Sequence, residues 1–484
     1  MAVINIVMVP VFVHHMGVEA YGLVGIYALL QAWFQLLDLG LTPTLIRETA
    51  RYRGGAIDAQ YLRRMMRVLE WIFCGIGLIG GVVMVCGSSY IALHWLKASR
   101  VAPVEIHRAV VLMAGIVALR WIAGIYRGVL TGFERLVWLS WFNISVTTAR
   151  FVLVVPVFKI LGTSPTAFFS YQAGLAVFEL VVLVNQAYRT LPKRPNTPET
   201  PWEWAPVKDV VKFSLSAAFT GSVWVFVTQI DKLILSKMLI LSDYALFTMA
   251  VLAANGLFSL FSPLASAVLP RMTRLMAEHN EQGMILVYRQ ATQLIVIACI
   301  PAAVVLTLWA PQVLFVWTGD LDIARRVSPV LTLYAIGNGF LVLGAFPYYL
   351  QFAKGNLRLH VIGNAIFLAW LIPVLIWATL RMGFIGAGSA WLLSNCLYFI
   401  FWVPLVHRKM AKNLHMRWLF SDILPIALPP ILGGLLLRHF LGSWPLIRST
   451  IAMWIGGLSL LLLILGVAGS TWVRGRVLRQ LCSN

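Results

Sequence analysis

The chain reads as an all-α polytopic membrane protein of about 14 transmembrane helices: two pseudo-symmetric six-helix lobes around a central cavity, plus two C-terminal helices. Three observations predict this. Hydrophobic residues make up 60% of the 484 and charged residues 12%, whereas a soluble domain has about 45–50% and about 25%, and the mean hydropathy is +0.84. The apolar runs reach about 20 residues, enough for a helix to cross a hydrocarbon core of about 30 Å, and strand-type alternation is absent. Finally, the pattern of the first half recurs in the second.

Hydropathy places the helices near 1–13, 20–46, 68–96, 106–128, 136–158, 166–188, 210–236, 243–270, 288–317, 327–352, 359–380, 384–406, 420–440 and 449–469. With the N-terminus in the cytoplasm, 25 Lys and Arg fall on the cytoplasmic side and 11 outside. That bias orients the chain with both termini inside, and it accounts for the net charge of +20 better than nucleic acid does. The stretch 189–206, "RTLPKRPNTPETPWEWAP", carries five prolines that forbid a continuing helix. It is the expected cytoplasmic linker between an N-terminal lobe (1–188) and a C-terminal lobe (207–407), with two further helices and a tail over 408–484.

The repeat is explicit. "GVEAYGLVGIYALLQAWFQLLDLGLTPTLIR" from Gly17 matches "LSDYALFTMAVLAANGLFSLFSPLASAVLPR" from Leu241, each a turn, a Tyr, a long helix and a closing Pro and Arg. Gly132 in "LTGFER" and Gly355 in "FAKGNLR" follow Tyr21 and Tyr244 at the same distance of 111 residues. A parallel repeat of this kind carries a substrate path between its halves. In this register the first helix is short, reaching only about 20 Å at 1.5 Å per residue, so the native start is expected upstream of Met1.

Ionisable residues inside spans are expensive and face a cavity or each other. In the second helix Gln31, Gln35, Asp38 and Thr42 share one face, followed by Arg47 and Arg51. Asp38 is read as cavity lining or as an ion-pair partner of Arg120 or Arg150. The fourth helix has Arg120 and, nearer its cytoplasmic end, Arg127, which is expected to snorkel. The fifth has Asn143 and Arg150, and the sixth Gln172, Glu179 and Gln186, each set at sevenfold spacing. The buried arginines suit an anionic headgroup, because arginine stays charged and donates a planar fork; the alternative is structural pairing with Glu179 or Asp38.

The second half is less polar. Ser216, Thr220, Trp224 and Thr228 form a stripe that ends at an interfacial Asp231-Lys232. Asn255, Asn338, Asn364 and Asn395 read as interhelical glue, and His360 as an interfacial residue. The five cysteines show no metal or disulfide spacing. Neither a nucleotide-binding nor a hydrolase motif occurs, so no cofactor is expected. No outer loop has room for a catalytic domain.

"VPVFVHHMGVEAYGLVGIYALLQAWFQLLDLGLTPTLIRETARYRGG" resembles the opening of Wzx-type O-antigen and polysaccharide flippases, within the multidrug/oligosaccharidyl-lipid/polysaccharide exporter superfamily. Its specific parts are the Gly-x-Glu-x-Tyr-Gly turn and Leu-Asp-Leu-Gly-Leu followed by Arg. "QIDKLILSKMLILSDYALFTMA" resembles the start of the second half in the same family. The resemblance implies a non-enzymatic flippase of the inner membrane that carries an undecaprenyl-pyrophosphate-linked oligosaccharide by alternating access. A polysaccharide polymerase and chain-length proteins are the candidate protein partners. The expected headgroup-binding residues are Arg120, Arg150, Asp38, Gln31, Gln35, Asn143, Glu179 and Gln172. Two alternatives stay open: a multidrug cation exporter of the same superfamily, which excess arginine disfavours, and a membrane polysaccharide polymerase or ligase, which short outer loops disfavour.

Overall fold

The structure is a computed structural model that describes residues 2–192, 205–441, 447–470 and 473. Most of the proline-rich linker lies outside the described residues. The described chain is helical, and its one β-type pairing is an isolated bridge between Lys97 and Ile240. Backbone contacts divide it into two compact units, Val3–Ala245 and Leu246 onward.

The first unit contains α1 (Ala2–Met16), α2 (Val18–Phe34), α3 (Leu41–Arg53), α4 (Ala59–Tyr90), α5 (Pro103–Gly132), α6 (Leu136–Phe151), α7 (Val154–Leu161), α8 (Pro165–Thr190) and α9 (Ala205–Met238). α10 (Leu241–Ala277) begins at its edge. The second continues with α11 (Glu281–Leu308), α12 (Ala310–Thr318), α13 (Leu321–Gly344), α14 (Phe346–Ala353), α15 (Arg358–Leu397), α16 (Val403–Met410), α17 (Leu414–Arg417), α18 (Leu424–Phe440) and α19 (Arg448–Gly469).

Local chemistry explains the starts. The Asp58 carboxylate accepts the Tyr61 amide at 2.6 Å to open α4, and Ser164, followed by Pro165, accepts the Ala167 amide at 3.1 Å to open α8. Asn280 and Asp320 do the same for α11 and α13. Each satisfies amides that have no partner inside the helix.

Eleven segments among the described residues are long and apolar enough to cross a bilayer. The protein is therefore a multi-pass membrane protein. The expected fourteen reconcile with these eleven. The first helix is below span length, and the seventh lies partly outside the described side chains. The eleventh and twelfth run together over Arg358–Met410. Gly383 (φ 59°, ψ −143°) breaks that run where a turn is expected.

Four helices expected to be continuous are broken, each beside a proline: 288–317 at Trp309 before Pro311, 327–352 at Ala345 before Pro347, and two in the first unit. A proline at position i removes one backbone hydrogen bond and crowds the carbonyl of i−4. Pro156 thus disrupts the chain at Val152, and α6 stops at Phe151 before α7 resumes at Val154. Pro43 acts on Leu39, and the expected helix 20–46 divides into α2, a 3-10 turn over Gln35–Asp38, and α3. α10, its repeat partner, has a helical backbone throughout.

The landmark glycines Gly132 and Gly355 do different work. Gly355 supplies a left-handed turn (φ 69°) after α14. Gly132 supplies close approach. A Cβ there would come within 2.5 Å of the Thr49 Cβ and 2.9 Å of the Ile46 oxygen, while the left-handed residue is Glu134 (φ 57°). With Gly128, which faces Thr42 and Leu45, it forms a small-residue ridge on α5 against which α3 lies. Gly132→Val is expected to force α3 off α5 and cost about 1–3 kcal/mol of stability. A thermal-shift measurement on the purified protein checks this, and an unchanged midpoint would remove the ridge as the α3 seat.

In the second unit two of the four isolated amides bridge helices. Asn338 donates to Asn255 at 3.2 Å and accepts from the Trp391 indole at 3.0 Å. Asn395 bonds within its own helix, and Asn364 bonds His360. His360 is half-buried against Tyr348. In α9, Asp231 is buried and pairs with Lys232 at 3.0 Å. The side chains of Ser216 and Thr220 lie outside the described residues. Cys74, Cys86, Cys299 and Cys396 are free thiols.

Candidate functional site

The break at Pro43 organises a cavity of about 560 Å³ inside the first unit. Leu39 (φ 46°) and Gly40 (φ 75°) are both left-handed, and for Leu39 this costs roughly 1 kcal/mol. Two features offset the cost. The Asp38 carboxylate accepts the Thr42 amide at 3.2 Å and the Thr42 hydroxyl at 2.7 Å, at the positive end of the α3 dipole. The Thr44 hydroxyl donates to the Gly40 carbonyl at 2.8 Å. Non-helical backbone inside a membrane span is tolerated where it lines a cavity, and Gln35, Asp38, Leu39, Gly40, Thr42 and Pro43 all do.

Across from this break stand three arginines and a glutamate. Arg120 and Arg127 project from α5, Arg150 from the broken end of α6, and Glu179 from α8. Glu179 is 3% exposed and holds two arginines at once. Its Oε1 accepts from Arg127 Nη2, and its Oε2 lies 3.4 Å from Arg120 Nε. Arg120, 6% exposed, also donates to the Tyr27 hydroxyl and, at 3.2 Å, to Gln172 Oε1. It is the most completely held of the three.

Arg150 differs. No carboxylate lies within ion-pair distance of it among the described residues; its Nε, like that of Arg120, is buried with no hydrogen-bond acceptor. Its guanidinium carbon lies 5.5 Å from the Phe151 ring centroid. The backbone below it is secured from α8. Gln172 Nε2 donates to the Arg150 carbonyl at 2.9 Å, and the Tyr171 hydroxyl donates to the Ala149 carbonyl at 2.8 Å. These are carbonyls at the interrupted end of α6, and an unpaired buried carbonyl is costly. The pairing fixes where Arg150 starts while leaving its head group open.

Six of the eight sequence-predicted residues line this cavity: Gln31, Gln35, Asp38, Arg120, Arg150 and Glu179. Gln172 sits behind the wall, 2% exposed, joining Arg120 to the Arg150 backbone. Asn143 does not line it. Sevenfold spacing does put Asn143 and Arg150 on one helix face, but seven residues also separate them by about 10 Å along the axis. Asp38 pairs with Thr42 rather than with either arginine.

The structure also adds residues. Arg127, expected to snorkel, lines the cavity and pairs with Glu179. Trp121 lines it too, stacked on Phe73 at 4.3 Å, with an indole N–H that is buried without a partner. Arg127 was detectable from its sevenfold spacing to Arg120, which copies the Gln172–Glu179 spacing on α8. Trp121 carried no signal, because a tryptophan in an apolar helix is ordinarily core.

The fold is similar to that of the lipid II flippase MurJ in an inward closed conformation, at 13% identity over 98% of this chain and 97% of that one, with a TM-score of 0.74. It is also similar to an inward-facing multidrug resistance MATE family transporter of the MOP superfamily, at 15% identity over 85% and 96%, TM-score 0.67. A MOP superfamily transporter from Pyrococcus furiosus, described as having a binding pocket of reversed polarity, matches at 13% identity over 84% and 92%, TM-score 0.56. No curated protein matches the chain. The profile of the polysaccharide biosynthesis protein family matches residues 1–276, more than half of the sequence, and the chain belongs to that family.

Proposed function

We propose that this protein is a flippase, not an enzyme, that moves a polyprenyl-pyrophosphate-linked oligosaccharide, the repeat unit of an O-antigen or exopolysaccharide, across the inner membrane by alternating access. The observation that carries the reading is Arg150: a half-buried arginine whose Nε–H is buried and unmatched, in a cavity lined by two further arginines and by the amides of Gln31 and Gln35. An unmatched buried donor costs about 1–3 kcal/mol, and a pyrophosphate supplies the acceptor. Guanidinium binds phosphate oxygens through paired charge-assisted bonds. The amides suit sugar hydroxyls, and the prenyl chain would stay in lipid.

Family membership supports the polysaccharide class, and the MurJ-like fold supports a lipid-linked substrate. The 25-to-11 distribution of basic residues supports cytoplasmic termini. In this reading 1–188 and 207–407 are the moving lobes, joined by the linker 189–206. A polysaccharide polymerase and chain-length proteins would take up the product. A cationic drug is disfavoured as substrate, because three arginines face two carboxylates in the cavity.

The test is reconstitution into liposomes. Flipping of a fluorescent polyprenyl-pyrophosphate oligosaccharide above that of empty vesicles is expected, with no uptake of a cationic dye. Dye transport without lipid-linked sugar transport would overturn the reading.

A further inference from the structure

The buried carboxylate Glu179 has no role in a site built to hold an anion, yet it sits among the three arginines. We infer that Glu179 is a resident stand-in for the substrate's pyrophosphate: it occupies Arg127 while the cavity is empty and is displaced from Arg127 when the anionic headgroup binds between Arg127 and Arg150. The inference rests on the flippase reading and adds an assignment of which arginines exchange partners.

Geometry separates the two arginines that Glu179 holds. Arg120 is 6% exposed and has two further partners, Tyr27 and Gln172. Arg127 is 34% exposed, lines the cavity, and has Glu179 as its acceptor. An incoming anion reaches Arg127 and Arg150 without disturbing Arg120. Glu179 then keeps Arg120 and gives up Arg127, so neither Glu179 nor Arg127 is left without an opposite charge in either state.

The arrangement also solves a release problem. A cavity with three free guanidiniums would retain a pyrophosphate, because each charge-assisted bond adds to its affinity. Binding that is tighter in the loaded state than in the step that follows slows turnover, because it deepens the ground state from which that step must climb. An internal carboxylate that competes for one guanidinium weakens the hold and completes the empty carrier.

The experiment uses the purified full-length chain in lipid nanodiscs, with geranyl pyrophosphate and inorganic pyrophosphate as probes, together with the flipping assay. Glu179→Gln is expected to tighten binding of both probes about tenfold while lowering flipping turnover. A merely structural role would weaken both. Glu70→Gln is the charge control: it adds the same unit of positive charge to the first unit at a carboxylate outside the cavity that accepts from the Tyr188 hydroxyl, and should change affinity by no more than about twofold. If Glu179→Gln does not yield folded protein, Glu179→Asp withdraws the carboxylate by one methylene and should tighten binding several-fold.

Unchanged or weaker binding in the Glu179 variants, a gain with the prenyl probe alone, or an equal gain in Glu70→Gln would each overturn the inference. If Arg150→Gln lowers probe binding while Glu179 variants do nothing, the stand-in role fails and the flippase reading survives. If Arg150→Gln leaves binding unchanged, both fall.

Discussion

Arg150→Gln is expected to cut transport of lipid-linked oligosaccharide by about 30-fold or more, the effect of losing a buried charged hydrogen-bond partner worth at least about 2 kcal/mol. Membrane insertion and thermal stability should stay near wild type. The reason is that the Arg150 head group contributes little to the empty protein: it lies over the Phe151 ring, but it lacks a carboxylate among the described residues and its Nε lacks an acceptor. Arg150→Lys should recover part of the activity, since it restores the charge but not the planar fork. Surface glycan measured in a strain deleted for the native gene, beside protein level in the membrane fraction, decides the matter. Full glycan with the Gln variant would take Arg150 out of the site.

Arg120→Ala should also abolish export, but by another route. It strips Glu179, Tyr27 and Gln172 of a shared donor, so lowered stability should accompany the loss. The pair of variants therefore separates a ligand-facing arginine from a structural one.

Asp422→Ala is expected to have the largest effect on stability. Asp422 is fully buried and accepts from Arg289 Nε at 2.6 Å, Arg289 Nη2 at 3.1 Å and Gln293 Nε2 at 2.7 Å. Gln293 in turn accepts from the Ser470 hydroxyl at 2.8 Å, so one network ties α11 to the start of α18 and the end of α19. Removing one partner of a buried pair strands the other charge and costs about 3–5 kcal/mol. For a unit of this size that is a fall in Tm of about 10 °C. Asp422→Leu combined with Arg289→Met should restore much of the loss, since no charge is then left unpaired. A double variant as unstable as the single one would show that the network, and not the stranded charge, carries the effect.

The last two helices thus belong to the second unit through chemistry that hydropathy could not display. Asp422 stands near the start of an apolar run and Arg289 near the start of another. Nothing in either run names the other as its partner, 133 residues away. The same holds for the cavity. Sevenfold spacing placed Arg120, Arg150 and Glu179 on polar faces. It could not say that Glu179 would serve both Arg120 and Arg127 and leave Arg150 open. It also over-reached at Asn143, because a shared face is not a shared depth. The helix break at Leu39-Gly40 was legible in principle, since Gly40 and Pro43 stand together in "LDLGLTP". The strength of the apolar run hid it.

By itself, then, the sequence determined the membrane class, the helix count, the internal repeat and the polarity of the first half. These follow from composition and periodicity, which act within one helix. Only the tertiary structure decided which charges neutralise one another and which stands without a carboxylate among the described residues. Pairing depends on distances of a few ångströms between helices far apart in the chain, and at α2–α3 and α6 those distances are set where proline breaks the very periodicity from which the faces were read.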